Sequence, residues 1–301
     1  MILSVRKNSV YNFTIGDFLM YAFITIFALV CVVPFALSVV VSVSVEDSII
    51  TKGYSFLPTA FTFRAYQTIF ASGSNVKTAY FISCLVTVIG TAGAVFITIM
   101  AAFALANKNV QYRDEISLFF FVTMMFNTGL VPWYLMCKGL GLYNNFAALI
   151  IPSLIFSPFN LFLCRNFMKG IPSSLHESAV MDGANDIYIA LIIYVPLSTP
   201  IIATVSLFYG LAYWNDWWNA IMLVENRDLY PIQYFLLQLR SRINMINDLR
   251  SNYGGAQIRD TLPAESVKMA TSIITIGPIV LMYPLLQRYF VSGLTIGAIK
   301  G

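Results

Sequence analysis

The interval from Pro172 to Pro196 brings together three carboxylates (Glu177, Asp182, Asp186), several serine hydroxyls and the only histidine of the chain, His176. Ser174 lies three residues before Glu177 and just after Pro172-Ser173. That is the spacing of a capping box, in which a hydroxyl takes an orphan backbone N–H and the carboxylate reaches back. It predicts a short helix from about Leu175, with Leu175, Ala179 and Met181–Asp182 on one small apolar face. Asp182-Gly183 signals a turn, because glycine accepts positive φ without penalty. Asn185 or Asp186 can cap the helix that follows. Glu177 can cap its own helix or meet a basic residue of another protein. His176 has no second histidine to pair with, so packing or surface contact is its expected role. A helix, a glycine bend and a second helix with one small apolar face cannot bury that face alone, so a partner protein is the natural lid.

A second cluster is Trp214-Asn215-Asp216-Trp217-Trp218-Asn219. Flat apolar rings beside hydrogen-bonding side chains suit a sugar, which offers a C–H face for stacking and hydroxyls for Asn and Asp. The same rings suit an aromatic belt, since Trp and Tyr favour the membrane interface. Both readings stand at this point. On a continuous helix Trp214 would share a face with Trp217 or Trp218. No Walker loop, H-E-x-x-H or G-x-S-x-G occurs, so no catalytic residue is assigned. The four cysteines, Cys31, Cys84, Cys137 and Cys164, lie in or at the ends of apolar runs without C-x-x-C spacing, as small hydrophobes rather than metal ligands.

The elements that must position these residues are membrane spans. The chain of 301 residues is 58% hydrophobic and 11% charged, with mean hydropathy +0.75. Soluble domains carry about 25% charged residues. A spanning helix needs about 20 apolar residues, and six runs qualify: Phe18–Val45, Thr78–Ala106, Ile116–Cys137, Leu142–Cys164, Ile187 to about Tyr213, and Val267–Tyr289. The predicted fold class is all-α, a polytopic helix bundle of six transmembrane helices. Residues 1–17 form a polar N-terminal segment, residues 18–301 the transmembrane domain, and 46–77 and 226–265 the long polar loops. The net charge of +4 comes from basic residues scattered singly, which points away from nucleic acid. No carboxylate lies inside these runs, and Asp216 sits just past the aromatic end of the fifth. Proton-coupled transport needs ionisable groups at mid-depth, so an energy source outside this chain is expected.

Charge counting does not orient the bundle. With the termini inside, eight basic residues lie inside (Arg6, Lys7, Lys108, Arg113, Arg165, Lys169, Arg288, Lys300), leaving ten of the 18 outside. The positive-inside rule leaves this open.

Glu177-Ser178-Ala179, three residues, Gly183, nine residues, Ile193-Tyr194-Val195-Pro196 resembles the E-A-A-x3-G-x9-I-x-L-P loop of ABC importer permeases, with Ser178 and Val195 as mild departures. Further segments resemble the sugar-importing, maltose-permease branch and its subgroup serving complex oligosaccharides such as alginate- or pectin-derived fragments. They are Asn127–Leu135, Gly139–Asn144, Arg165–Pro172, Tyr213–Ala220, Arg227–Gln233 and the Gly-Ala-Ile-Lys-Gly301 tail. The resemblance covers nearly the whole chain beyond residue 15. It implies the type I ABC importer permease fold, in a bacterial plasma (inner) membrane, multi-pass, with both termini cytoplasmic. Residues 165–190 become a cytoplasmic coupling loop in which Leu175, Glu177, Ser178, Ala179, Asp182, Gly183, Ala184 and Pro196 contact an ATPase. The implied partners are a second homologous permease, two ATP-binding subunits that handle ATP and Mg, an extracytoplasmic solute-binding protein, an oligosaccharide substrate and the lipid bilayer. No cofactor belongs to this chain. The resemblance also implies that the 226–265 loop reaches the binding protein, through Arg240, Arg242, Arg250, Asn252, Tyr253, Gly254 and Gly255. An importer for amino acids or phosphate, and a secondary transporter or membrane enzyme, are the rival readings.

Overall fold

The computed structural model describes residues 15–71, 75–126, 128–152, 154–253 and 265–280. Regular structure among them is helical, and the one strand-like pairing is an isolated bridge between Ser44 and Phe61. In chain order the helices are α1 (Ile15–Ser42), α2 (Glu46–Lys52), α3 (Arg64–Ala71), α4 (Asn75–Ala106), α5 (Arg113–Met125), α6 (Leu130–Gly139) and α7 (Pro158–Met168). There follow α8 (Ser173–Met181), α9 (Asp186–Leu197, with a π turn inside), α10 (Thr199–Trp214), α11 (Trp218–Leu223), α12 (Ile232–Tyr253) and α13 (265–280). The first five expected spans do not appear as five straight helices, and the sixth is described, as helix, only to residue 280. Among the described residues α1 and the 31-residue stretch Val76–Ala106 of α4 are long and apolar enough to cross alone. Two bent pairs, α5 with α6 and α9 with α10, qualify together.

The chain divides into two compact units. The first comprises Met1–Gln67 and Thr261–Ile273. Its α1 begins at Ile15 and continues through Pro34, and the Ser38 hydroxyl donates to the Pro34 carbonyl at 2.9 Å. A turn leads to α2, whose first residue, Glu46, is buried. The Glu46 carboxylate accepts from the Glu265 and Ser266 backbone N–H groups (2.8 and 3.0 Å) and from the Ser266 hydroxyl (2.8 Å). It thereby caps α13, whose first amides have no intrahelical partner. Glu265 in turn accepts from Tyr54 (2.7 Å) and pairs with Lys268 (2.6 Å). The hydrogen bond to Glu265, followed by partial burial, pushes the Tyr54 phenol up to about 12.

The second unit comprises Thr68–Asp260 and Ile274–Gly301, with α4 at its centre against α7 and α10. At Gly90 a Cβ would lie 2.5 Å from the Tyr213 ring, so only glycine lets the α10 ring lie against the α4 backbone. Small residues serve membrane helices in this way because van der Waals packing draws them together.

The run Leu142–Cys164 is not a continuous helix. A 3-10 turn at Phe146–Leu149 is followed, among the described residues, by non-helical chain until Pro158 opens α7. Proline has no N–H and disfavours helix at the preceding residue, and Pro152 and Pro158 do this twice. Irregular backbone at membrane depth is tolerated only where other protein groups satisfy it. Here Tyr213 Oη donates to the Ile150 carbonyl (3.0 Å) and Asn219 Nδ2 to the Pro152 carbonyl (3.0 Å). The Tyr209 hydroxyl accepts from the Ser157 N–H (2.9 Å) while sharing a 2.7 Å bond with Thr98.

The expected third and fifth spans are bent. α5 and α6 meet at 120° across Gly129, whose φ is 79°. α9 and α10 meet at 87° at Ser198, between Pro196 and Pro200. Pro200 cannot donate to the Pro196 carbonyl, and the Thr199 hydroxyl does so instead at 2.7 Å. Within the polar 226–265 stretch, residues 232–253 form a helix, and 254–264 lie outside the described residues. Ile232, Leu236 and Ile243 recur at helical spacing and are buried along the 22-residue α12. Its first N–H, from Ile232, donates to Ser83 Oγ of α4 at 2.7 Å.

Candidate functional sites at the two ends of the bundle

α8 starts two residues earlier than expected, with Pro172 at the cap position and no side-chain cap bond. The capping box does not form, because Ser173 and Ser174 are already the first helical residues. That puts Glu177 a turn too deep to reach back, and it is exposed. The expected apolar face is split. His176 and Ala179 turn into the chain, whereas Leu175, Val180 and Met181 remain 42%, 49% and 87% exposed. His176 rests between two rings, Phe103 of α4 and Tyr194 of α9, with both centroids at 6.3 Å. Phe103 and Tyr194 meet edge to face at 4.9 Å. The lone histidine thus seats α8 on the bundle, and its outer face stays free.

The helix ends in a Schellman arrangement. The Ala184 N–H reaches the Ala179 carbonyl and the Gly183 N–H the Val180 carbonyl, each at 3.0 Å. This requires Gly183 to be left-handed, and its φ is 81°. Asn185, rather than Asp186, caps α9 by accepting from the Tyr188 N–H at 2.8 Å. Pro196 lies in the last turn of α9, next to the bend. A cleft of 420 Å³ beside α8 is lined by Lys108, Arg113, Lys169, Ser173, His176 and Glu177 among others. Desolvation, then the nearby Arg165 and Arg113, hold the Lys169 ammonium below its ordinary value against the pull of Asp114.

At the other end of α10 the Trp-Asn cluster does not lie on one helix. α10 stops at Trp214, and Asp216 Oδ1 accepts from the backbone N–H groups of Trp218 (3.0 Å) and Asn219 (3.3 Å), starting α11. This break parts Trp214 from Trp218, which the uninterrupted pattern had put on one face. Trp214 is buried, meets Tyr80 edge to face and donates from Nε1 to the Thr275 carbonyl at 3.0 Å. Asn219 is buried on Pro152. Trp217 and Trp218 stand 42% and 40% exposed, edge to face at 5.8 Å. Asn215 is exposed and accepts from Gln233 of α12 at 3.1 Å.

Arg240 and Arg242 are exposed on α12. Arg250, Asn252 and Tyr253 fall in its last turns, and Gly254 and Gly255 lie outside the described residues. The motif reading missed Tyr209 and Tyr213. It also missed Asn144, at φ 51°, which accepts from the Glu225 and Asn226 N–H groups at 3.1 and 2.8 Å. The paired prolines 152 and 158 were the one signal that a break needed such partners. Among the described residues no group of His, Cys, Asp and Glu could hold a metal ion.

The family model described as binding-protein-dependent transport system inner membrane component matches residues 93–296. The chain is 36% identical over 285 residues to the polygalacturonan/rhamnogalacturonan transport system permease protein YtcP of Bacillus subtilis (strain 168), covering 95% of this chain and 98% of that one. It is 33% identical over 272 residues to protein LplC of the same organism, covering 90% of each. Among solved structures, it matches a chain of a bacterial ABC transporter involved in the import of the acidic polysaccharide alginate. The TM-score there is 0.79 at 28% identity, covering 94% of this chain and 99% of that one.

Proposed function

The chain belongs to the family of binding-protein-dependent transport system inner membrane components, and from that premise we propose that it imports oligosaccharides derived from acidic polysaccharides of the polygalacturonan or alginate kind. It is a membrane transport permease, an all-α helix bundle that works within a multi-subunit ABC transporter. In the proposed assembly it pairs with a second, homologous permease. Two ATP-binding subunits use ATP and Mg, and a solute-binding protein delivers the sugar outside. Both termini and residues 165–190 face the cytoplasm, and 46–77 and 226–265 face outward. The polygalacturonan/rhamnogalacturonan permease and the alginate importer support the substrate class.

The observation that carries the coupling role is α8 itself. Its outer face keeps Leu175, Val180 and Met181 exposed while His176 is seated between Phe103 and Tyr194. An ATPase covering that face would pull on α9 and, through the 87° bend at Ser198, on α10. ATP-driven closure then favours one pathway state only by binding it better than the other. In this reading the half-exposed Trp217 and Trp218 meet the sugar, and α12 with the exposed Arg240 and Arg242 meets the binding protein. The test is uptake of oligogalacturonides and alginate oligosaccharides into vesicles holding the full transporter, with ATP inside and maltose and an amino acid as controls. Uptake of the controls but not the acidic sugars, or uptake that follows a proton gradient without ATP, would overturn the reading.

A further inference from the structure

The basic cleft beside α8 does not stand alone. Arg113, on its wall, lies 3.6 Å from Asp114, and Asp114 is 3.3 Å from Arg165. Arg165 and Asp114 border a second cleft of 550 Å³, whose other walls include Leu118, Phe121, Met124 and Phe162. Leu118, Phe121 and Met124 are 61%, 51% and 46% exposed. Charge and grease are therefore neighbours, joined through Asp114. The charged half follows directly on Ala106, the last residue of the long apolar helix, and so lies at the membrane boundary. Among the described residues Lys108 and Lys169 have no ion pair. Glu177 also lines the cleft, as its one carboxylate.

We propose that Lys108, Arg113 and Lys169 bind the phosphate of an anionic phospholipid whose acyl chain lies along Leu118, Phe121, Met124 and Phe162. A free phosphate has no use for the apolar half, and a zwitterionic lipid brings beside its phosphate a choline cation that the basic half repels. Basic pockets between membrane helices take anionic headgroups on the cytoplasmic side, and that side is the one given under the proposed function, on which this inference rests. Ser173, His176 and Glu177 line the same cleft, so a bound lipid would brace α8 from the membrane side.

The assembled transporter, in nanodiscs of phosphatidylcholine, is titrated with phosphatidylglycerol and the bound lipid counted by native mass spectrometry. We expect selective retention of phosphatidylglycerol, weakened on the order of tenfold or more by the double substitution Lys108→Gln/Lys169→Gln, since each basic residue near an anionic surface contributes severalfold. The indole introduced by Phe121→Trp should be quenched by tail-brominated phosphatidylglycerol and not by the phosphatidylcholine analogue. Equal retention in parent and double variant overturns the site. Displacement of the lipid by millimolar inorganic phosphate overturns the lipid in favour of a free anion. Loss of the ATPase from the double variant with lipid retention unchanged assigns the lysines to the partner instead. Labelling of Lys108→Cys by an impermeant maleimide from outside would overturn the orientation while leaving the lipid counts as they are.

Discussion

Glu46 and Ser266, 220 positions apart, are joined twice, the carboxylate accepting both the backbone N–H and the hydroxyl of the serine. A residue at the start of one short helix thus finishes the N-terminus of another. A carboxylate there also meets the positive end of the helix dipole. Loss of an N-cap costs about 0.5–2 kcal/mol. Glu46→Ala should therefore lower the melting temperature of the purified transporter, and Glu46→Gln, which keeps one acceptor, should lower it less. Equal melting of parent and Glu46→Ala would remove the cap from the account of how α13 begins.

Gly183 has a φ of 81° and open space where a Cβ would go, so backbone strain alone opposes substitution. That strain is about 1–3 kcal/mol. Gly183→Val should open the Schellman turn and impair ATPase co-purification and sugar-stimulated ATP hydrolysis. Gly183→Asn, which tolerates the left-handed region, should keep most of both. Parental behaviour of the valine variant would separate the bend from coupling.

Glu177 offered two roles in the sequence, cap or ion pair. The structure removes the first, because α8 has no side-chain cap and Glu177 is exposed in its second turn. Under the proposed coupling, charge is what remains for an ATPase to meet. Glu177→Gln is therefore expected to lose as much stimulated ATP hydrolysis as Glu177→Ala. Full activity of the glutamine variant beside a defective alanine variant would contradict this.

Apolar spans could be read from the sequence because the bilayer demands length and hydrophobicity, and α1 and α4 satisfy both without help from afar. Breaks could be read only halfway. Pro152, Pro158, Pro196 and Pro200 say where backbone bonds are missing, but Tyr209, Tyr213 and Asn219, which replace them, come from distant segments and carry no local mark. α12 was hidden because its buried residues alternate with Gln, Arg and Asn in a stretch that is polar overall. Asp216 misled in the opposite way. Its carboxylate starts a new helix instead of continuing the old one, and so splits the tryptophans.

The Tyr213 contact can be tested from both sides. Gly90→Ala would drive a methyl into the ring at 2.5 Å, and overpacking of this kind costs about 1–3 kcal/mol. Tyr213→Phe keeps the ring and removes one hydrogen bond to Ile150, worth about 0.5–1.5 kcal/mol. Gly90→Ala should accordingly lower the melting temperature of the transporter more than Tyr213→Phe. In the double variant the tight contact persists, so the glycine penalty should persist too. A Gly90→Ala protein as stable as the parent would mean that α4 and α10 do not approach as closely as described.

Trp214, Trp217 and Trp218 separate by environment, and transport should separate them by phenotype. Trp214 is 6% exposed, holds Thr275 through its indole N–H and packs on Tyr80. Truncation of such a residue costs about 3–5 kcal/mol. Trp214→Ala should therefore reduce the amount of assembled transporter, with whatever survives transporting at a near-parental rate per complex. Trp218 is 40% exposed and leans on Trp217. Trp218→Ala should leave assembly intact and slow sugar uptake at saturating binding protein, with Trp217→Ala acting in the same direction. Asp216→Ala should resemble the buried class, because it removes the acceptor for two backbone N–H groups at the start of α11. Asp216→Asn keeps an acceptor there and should be milder. Vesicle uptake divided by the amount of assembled complex reads both effects together. Parental uptake per complex in both Trp217→Ala and Trp218→Ala would return these rings to the aromatic belt at the membrane surface, and the sugar contact would have to be sought on the second permease.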